Sequence, residues 1–239
     1  MGLREDLAKA IDGGLQENGI YLVVGAPGSG KSAFCVTLMD ELLRDGEDCA
    51  FITTDLAPVD LKWHAEHGFG MDFARYEQGG QLEIMDGCSW KAEGGCPGAI
   101  DLSDLPSLGH RLSGMLEEAK SGKRKKFFLF FDTVSSLLLY NDAKSLMKFL
   151  QTQVLRLRSA GVPAILTLEE DAADRAFADT LSAFVDGVFS LQVKCTDHSF
   201  ARSFRVSSMR SSPHHDGWQP SVVGNCGYKL TETLLWGKY

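Results

Sequence analysis

IYLVVGAPGSGKSAF, residues 20–34, decides the fold. Its first five residues, Ile20 to Val24, are an unbroken apolar run of the kind that forms a strand covered on both faces. Gly25, Gly30, Lys31 and Ser32 then occupy the fixed positions of G-x-x-x-x-G-K-[ST], and a helical pattern runs on to about Arg44. Strand, glycine-rich loop and helix in that order make a phosphate-binding loop. Its residues Gly25, Ala26, Pro27, Gly28, Ser29 and Gly30 bring backbone N–H groups around phosphate oxygens without Cβ clashes. Lys31 is the point charge for the β and γ positions, and Ser32 offers a hydroxyl to Mg²⁺. Ala33 lies in the first turn of a helix whose positive end faces the anion.

Outward from the loop, strands alternate with helices. CAFIT (49–53), LEIM (82–85), FFLFF (127–131) and VPAILTL (162–168) are short apolar runs bounded by turn residues, and they read as buried strands. Between them, Pro58 opens a helix through Leu61 and Ala65 to about Gly68. Leucines at 105, 108 and 112, with Met115 and Leu116, recur at helical spacing. Leu146, Met147, Leu150, Val154 and Leu157 mark a long helix that Gly161 closes. Such alternation implies the α/β class, with a mostly parallel central sheet flanked by helices. From Gly187 to Leu230 the segments GVFSLQV, FARSFRVS, QPSVV and GYKL follow without a helical period, which predicts a C-terminal antiparallel extension. No Pro/Ser-rich linker divides the 239 residues, so one domain over 1–239 is expected.

Composition narrows the function. No apolar stretch reaches the ~20 residues that span a bilayer, and MGLREDLAKAI lacks the apolar core of a signal peptide, so a cytoplasmic protein without membrane insertion is expected. A formal net charge of −8 disfavours a broad grip on nucleic acid. The basic run from Lys120 to Lys126 directly precedes a strand and reads as a solvated loop. The six cysteines are scattered and do not read as a disulfide framework. Cys35 and Cys49 fall in apolar runs, and the spacing of Cys88 from Cys96 fits no zinc knuckle. His64 and His67, a helical turn apart without a carboxylate constellation, read as surface or packing residues.

A carboxylate for the metal is expected where another strand ends near the loop, and Asp132 follows FFLFF in that way. Thr133 comes next. The chain therefore lacks the Asp-Glu pair with which many ATPases serve both metal and attacking water, and a base must come from elsewhere or be absent.

The ordered set IDGGLQENGIYLVVGAPGSGKSAF, GEDCAFITTDLAPVDL, HGFGMDFARYEQGGQLEIMDG, FFDTVSSLL, SAGVPAILTLEE, FVDGVFSLQ and SSMRSSPHHDGWQPSVVGNCGYKL resembles, over nearly the whole chain, a single KaiC-type domain of the RecA superfamily. The resemblance implies a RecA-like P-loop core, ATP as the nucleotide, and a site at the border between subunits of a homo-oligomer, often a hexameric ring. It also implies residue roles. A glutamate pair that readies the attacking water in that family is replaced here by Asp55 and Leu56, and only Asp55 keeps a carboxylate, one methylene shorter. A Lys-x-Arg pair and a later His reach the neighbour's γ-phosphate in that family. Arg210 and His214 match these, while Ser208 stands at the lysine position. Glu169 matches a threonine-then-glutamate strand end and would sense the phosphate through a shared water.

Two of these residues keep a second reading. Asp55 is either the water-orienting carboxylate or a helix N-cap ahead of Pro58. Arg210 either reaches a neighbour or pairs with a surface carboxylate. The functional expectation is a Mg²⁺-dependent ATP-binding protein, a slow ATPase whose nucleotide state controls ring assembly or the binding of a protein partner. One rival is a scaffold that binds ATP and hardly hydrolyses it, similar to the accessory proteins of archaeal motility motors. The other is a recombination accessory ATPase acting on DNA, against which the net charge counts.

Overall fold

A strand that is apolar on both faces needs cover on both faces, and this requirement organises the chain. The computed structural model describes residues 2–92, 96–123, 125, 127–196, 199–232 and 237–238. Its first part runs α1 (Leu3–Ala10), β1 (Ile20–Gly25), α2 (Lys31–Arg44), β2 (Asp48–Thr53), α3 (Pro58–Phe69), α4 (Phe73–Gln78) and β3 (Leu82–Asp86). There follow α5 (Leu105–Lys120), β4 (Phe127–Asp132), a 3-10 segment (Val134–Leu139), α6 (Ala143–Ala160), β5 (Ala164–Glu169) and α7 (Arg175–Ser182). The chain ends in β6 (Gly187–Thr196), β7 (Ser199–Met209), β8 (Gln219–Gly224), β9 (Gly227–Leu230) and β10 (Gly237–Lys238).

Among the described residues these strands form one sheet in the order β3-β2-β4-β5-β1-β6-β7-β8-β9, with β10 beside β7. From β3 to β6 all pairings are parallel, and from β6 to β9 they are antiparallel. This is the expected α/β architecture with its antiparallel extension.

The period of two along each strand sends alternate side chains to separate cores. Ile20 and Leu22 of β1, with Phe127, Leu129 and Phe131 of β4, pack beneath α5, α6 and α7. Tyr21 and Val23, with Phe128 and Phe130, pack beneath α1 to α4. Full burial of such a side chain stabilises by about 1.5–3 kcal/mol over leaving it in water. α6 starts where Asp142 accepts the Ser145 N–H at 2.9 Å and stops at Gly161, whose φ of 63° is left-handed.

Three short helices carry no signal in the sequence reading: α1, α4 and α7. α1 is held onto α2 because the Glu41 carboxylate accepts the N–H groups of Leu3 and Arg4 at 2.6 and 2.8 Å. α4 and α7 begin at side-chain caps from Asp72 and Asp174. Arg124, Lys126 and the residues Leu234–Trp236 of the C-terminal tail lie outside the described residues. No helix among those described is long and apolar enough to cross a membrane.

The β8–β9 turn is bound to the helix that carries the phosphate loop. Thr37 Oγ1 on α2 donates to Ala33 O and accepts the Tyr228 N–H at 2.8 Å. Gly227, with φ of 86°, passes so close that an added Cβ would lie 2.1 Å from Thr37 Oγ1. Gly227→Ala combines left-handed strain with that clash and is expected to lower the unfolding free energy by about 1–3 kcal/mol in a denaturant titration. A parental unfolding midpoint would show that the turn relaxes without strain.

Candidate functional site

At the C-terminal end of β1 the chain turns through Ala26–Gly30 into α2. Gly30, at φ 103°, is the helix N-cap, and an added Cβ would lie 3.1 Å from the Tyr228 ring and 3.2 Å from Val223. No side chain caps this helix, so the N–H groups of its first turn are left for an anion at the positive end of the helix dipole. Ser29 Oγ is buried in the loop without a hydrogen-bond partner. Uncapped N–H groups and an orphaned hydroxyl are what a bound phosphate would satisfy.

Lys31 is buried, and its Nζ lies 2.7 Å from Gly25 O, 3.1 Å from Ala26 O and 3.0 Å from Glu169 Oε1. Strand register explains the last contact, because Gly25 at the end of β1 is paired with Glu169 at the end of β5. Thr53 at the end of β2 is likewise paired with Asp132 at the end of β4. Asp132 Oδ1 accepts a hydrogen bond from Thr167 Oγ1 at 2.6 Å, and Ser32 lines the same cavity as this carboxylate. Burial pushes the Asp132 carboxyl above the usual carboxylate range, against the pull of the Thr167 and Ser32 hydrogen bonds; the nearby Asp55 charge adds to the rise and Lys31 opposes it.

A cavity of about 290 Å³ gathers Gly28, Gly30, Lys31, Ser32, Ala33, Asp55, Asp132 and Glu169. Asp55 is not the N-cap of α3; that position is Ala57. Its carboxylate accepts instead from Ser136 Oγ at 2.5 Å. No three His, Cys, Asp or Glu side chains among the described residues are grouped to cage a metal. Mg²⁺ needs no such cage, since it takes one or two protein ligands and fills its octahedron with phosphate oxygens and water, and Ser32 with Asp132 fits that donor set.

Arg210 and His214 lie elsewhere. Met209 is paired with Gly187, and Gly187 with Tyr21, so Arg210 sits by the start of β1 while the phosphate loop follows its end. The Arg210 guanidinium donates to Ala183 O and its backbone N–H to Asp186 O, and no carboxylate among the described residues pairs with it. His214 makes an antiparallel bridge with Ile11 and its Nδ1 lies 3.2 Å from Ser212 O.

Residues that the sequence reading passed over also meet at the cavity. Arg202 of β7 lines it, donates from Nε to Gly28 O at 3.0 Å and stacks on Phe200. Its two-residue alternation in β7 was visible, but not which loop that face would meet. The hydroxyls of Thr54, Thr133, Ser135 and Ser136, with the Thr167 carbonyl, form a buried network behind the carboxylates. The run TVSS after Asp132 was its one signal. Away from the site, the six cysteines are free, and burial pushes the Cys35 thiol well up, which keeps it protonated and inert. His67 stacks on Trp63 and His64 meets the same ring edge-on, as packing residues do.

Comparison with known proteins agrees with the fold. The family model described as KaiC, an ATPase, matches residues 4–233. The UPF0273 protein of Methanopyrus kandleri is 28% identical over 228 residues, covering 93% of this chain and 87% of that one. A UPF0273 protein of Thermotoga maritima is 24% identical over 222 residues, covering 91% and 89%. The crystal structure of a KaiC-like protein from Pyrococcus horikoshii superposes with a TM-score of 0.75 at 22% identity, covering 96% of both chains.

Lys31→Ala removes the buried ammonium beside the loop. It is expected to weaken ATP binding about 10–100-fold, the worth of a charge-assisted contact of about 1.5–3 kcal/mol. Unchanged affinity by calorimetry would remove this cavity as the nucleotide site.

Proposed function

The chain belongs to the KaiC family of ATPases, and from that premise we propose that it is a slow, Mg²⁺-dependent ATPase of one domain. Its ATP-bound state controls assembly with further copies of itself or the binding of a protein partner. The observation that carries this reading is the convergence of Lys31, Ser32, Asp55, Asp132 and Glu169 on one cavity at the ends of four adjacent strands.

The N–H groups of the loop and of the first turn of α2 hold the phosphates. Lys31 exchanges Glu169 for the γ-phosphate, which leaves the Glu169 carboxylate to accept from a water beside it. Bound through Ser32 and Asp132, Mg²⁺ would neutralise charge on the β and γ oxygens. Asp55 accepts from the attacking water and orients it in line with the leaving oxygen. Turnover is slow because Asp55 acts without a second acidic residue: Leu56 beside it is 37% exposed and offers no acceptor. General-base assistance is typically worth about 10²–10⁴-fold, so a weakly assisted site keeps ATP bound long enough to serve as a state. Arg210 cannot serve the loop of its own chain, and a neighbour's Arg210 is the cation that would complete the site.

Single-turnover phosphate release with protein in excess tests the reading. Asp55→Asn should cut release about 10²-fold with ATP affinity unchanged, because water orientation matters mainly in the transition state. ATP-dependent assembly without phosphate release would establish the non-hydrolysing scaffold instead. Arg210→Ala should lower turnover while each chain still binds ATP, and a variant matching the parent in both size and turnover would take Arg210 out of the site.

A further inference from the structure

Resting on that role for Asp55, we propose that Ser136, backed by Thr54, is the positioning residue that fixes the Asp55 carboxylate for the attacking water. Both hydroxyls are shut away from solvent, Thr54 at 0% and Ser136 at 6% exposure, so their protons must go to protein acceptors. A hydroxyl has one proton to give, whereas an ionised carboxylate only accepts. Ser136 Oγ lies 2.5 Å from Asp55 Oδ1, so that proton is committed to Asp55 in a short, charge-assisted bond.

Thr54 Oγ1 supports this from behind. It accepts the Thr133 N–H at 2.8 Å and has both Ser136 Oγ and Thr133 O at 3.1 Å, with Asp55 Oδ1 at 3.3 Å. The Ser136 oxygen, having given its own proton to Asp55, is free to accept from Thr54. Successive donors from Thr133 N–H through Thr54 and Ser136 thus end on one oxygen of Asp55, and Oδ2 remains for a water. A single Asp at an exposed turn would otherwise sample several rotamers.

Ser136 belongs to the 3-10 segment that begins two residues after Asp132, behind its N-cap Thr133. That segment is itself fixed, since Thr133 Oγ1 lies 2.8 Å from Thr167 O and the Glu169 N–H donates to Ser135 Oγ at 2.7 Å. The carboxylates of Asp132, at the end of β4, and of Asp55, two residues past β2, therefore share one support.

The test is the turnover of Ser136→Ala. It should fall about 10-fold with KM and calorimetric ATP affinity unchanged, since misplacement of a reacting group by about 1 Å can lower a rate by up to 10²-fold. Thr54→Ala should lower turnover in the same direction, and Thr54→Ser, which restores the hydroxyl, should recover it. In an Asp55→Asn background Ser136→Ala should do no further harm. Parental turnover in Ser136→Ala, or an undiminished second loss in the double variant, overturns the proposal. Ser136→Cys, close in size but a weaker donor, carries the same test if the alanine variant does not fold. The two readings fail differently: an impaired Asp55→Asn beside a parental Ser136→Ala sinks only this proposal. A parental Asp55→Asn, or a parent without turnover, sinks both.

Discussion

Burial of β4 on both faces constrains the rest of the molecule. Phe127, Phe128, Leu129, Phe130 and Phe131 are all nearly inaccessible, and their alternate directions require two separate covers. Parallel neighbours meet that need, because each return to the sheet passes through a helix that lands on one face or the other. Ligands of such sheets bind outside the carboxyl ends of the strands. Asp132 and Glu169 emerge at that edge because their strands end there, and the phosphate loop because β1 lies beside β5 in register.

The same edge collects charge that the fold must hold without a nucleotide. Lys31 is buried, and an ammonium out of water is destabilising unless paired and hydrogen-bonded. Glu169 and the carbonyls of Gly25 and Ala26 supply that compensation at 2.7–3.1 Å. The Glu169 side chain keeps 27% of its exposure, so it can return to water when another anion takes its place. On the proposed reading, a phosphate would therefore substitute for a carboxylate the site already holds. Asp132 is in the opposite position: burial works against its ionised form, and a divalent cation beside it would restore the advantage of the charge.

Most of this was legible in the sequence where a rule links residues close along the chain. G-x-x-x-x-G-K-S, the apolar runs and the spacing of leucines in α6 each encode their own local structure. Long-range placement was not encoded in that way. Arg202 reaches Gly28 across 174 residues, and Thr54 meets Ser136 across 82, distances over which neither period nor motif gives a signal. The helices α1 and α7, each of 8 residues, are too short to stand out by periodicity and are held by Glu41 and the Asp174 cap. Asp55 was ambiguous for a different reason, since Asp before Pro58 suits a turn as well as a site; the structure gives the N-cap to Ala57 and sets the Asp55 carboxylate against Ser136.

Electrostatics also bears on why the proposed hydrolysis would be slow in one chain alone. The cavity is lined by two cations, Lys31 and Arg202, against three carboxylates, Asp55, Asp132 and Glu169. A nucleoside triphosphate adds several negative charges, and even with Mg²⁺ the complex stays anionic. Phosphoryl transfer spreads that charge over the equatorial oxygens and is assisted by cations placed where it develops. Within the chain the exposed Arg210 is tied to the far edge of the sheet by Ala183 and Asp186. A cation held away from its own loop cannot act there, and on the proposed reading it would serve another copy. An assembly in which subunits complete one another's sites would make hydrolysis depend on contact, so that the ATP-bound state lasts while a chain stands alone.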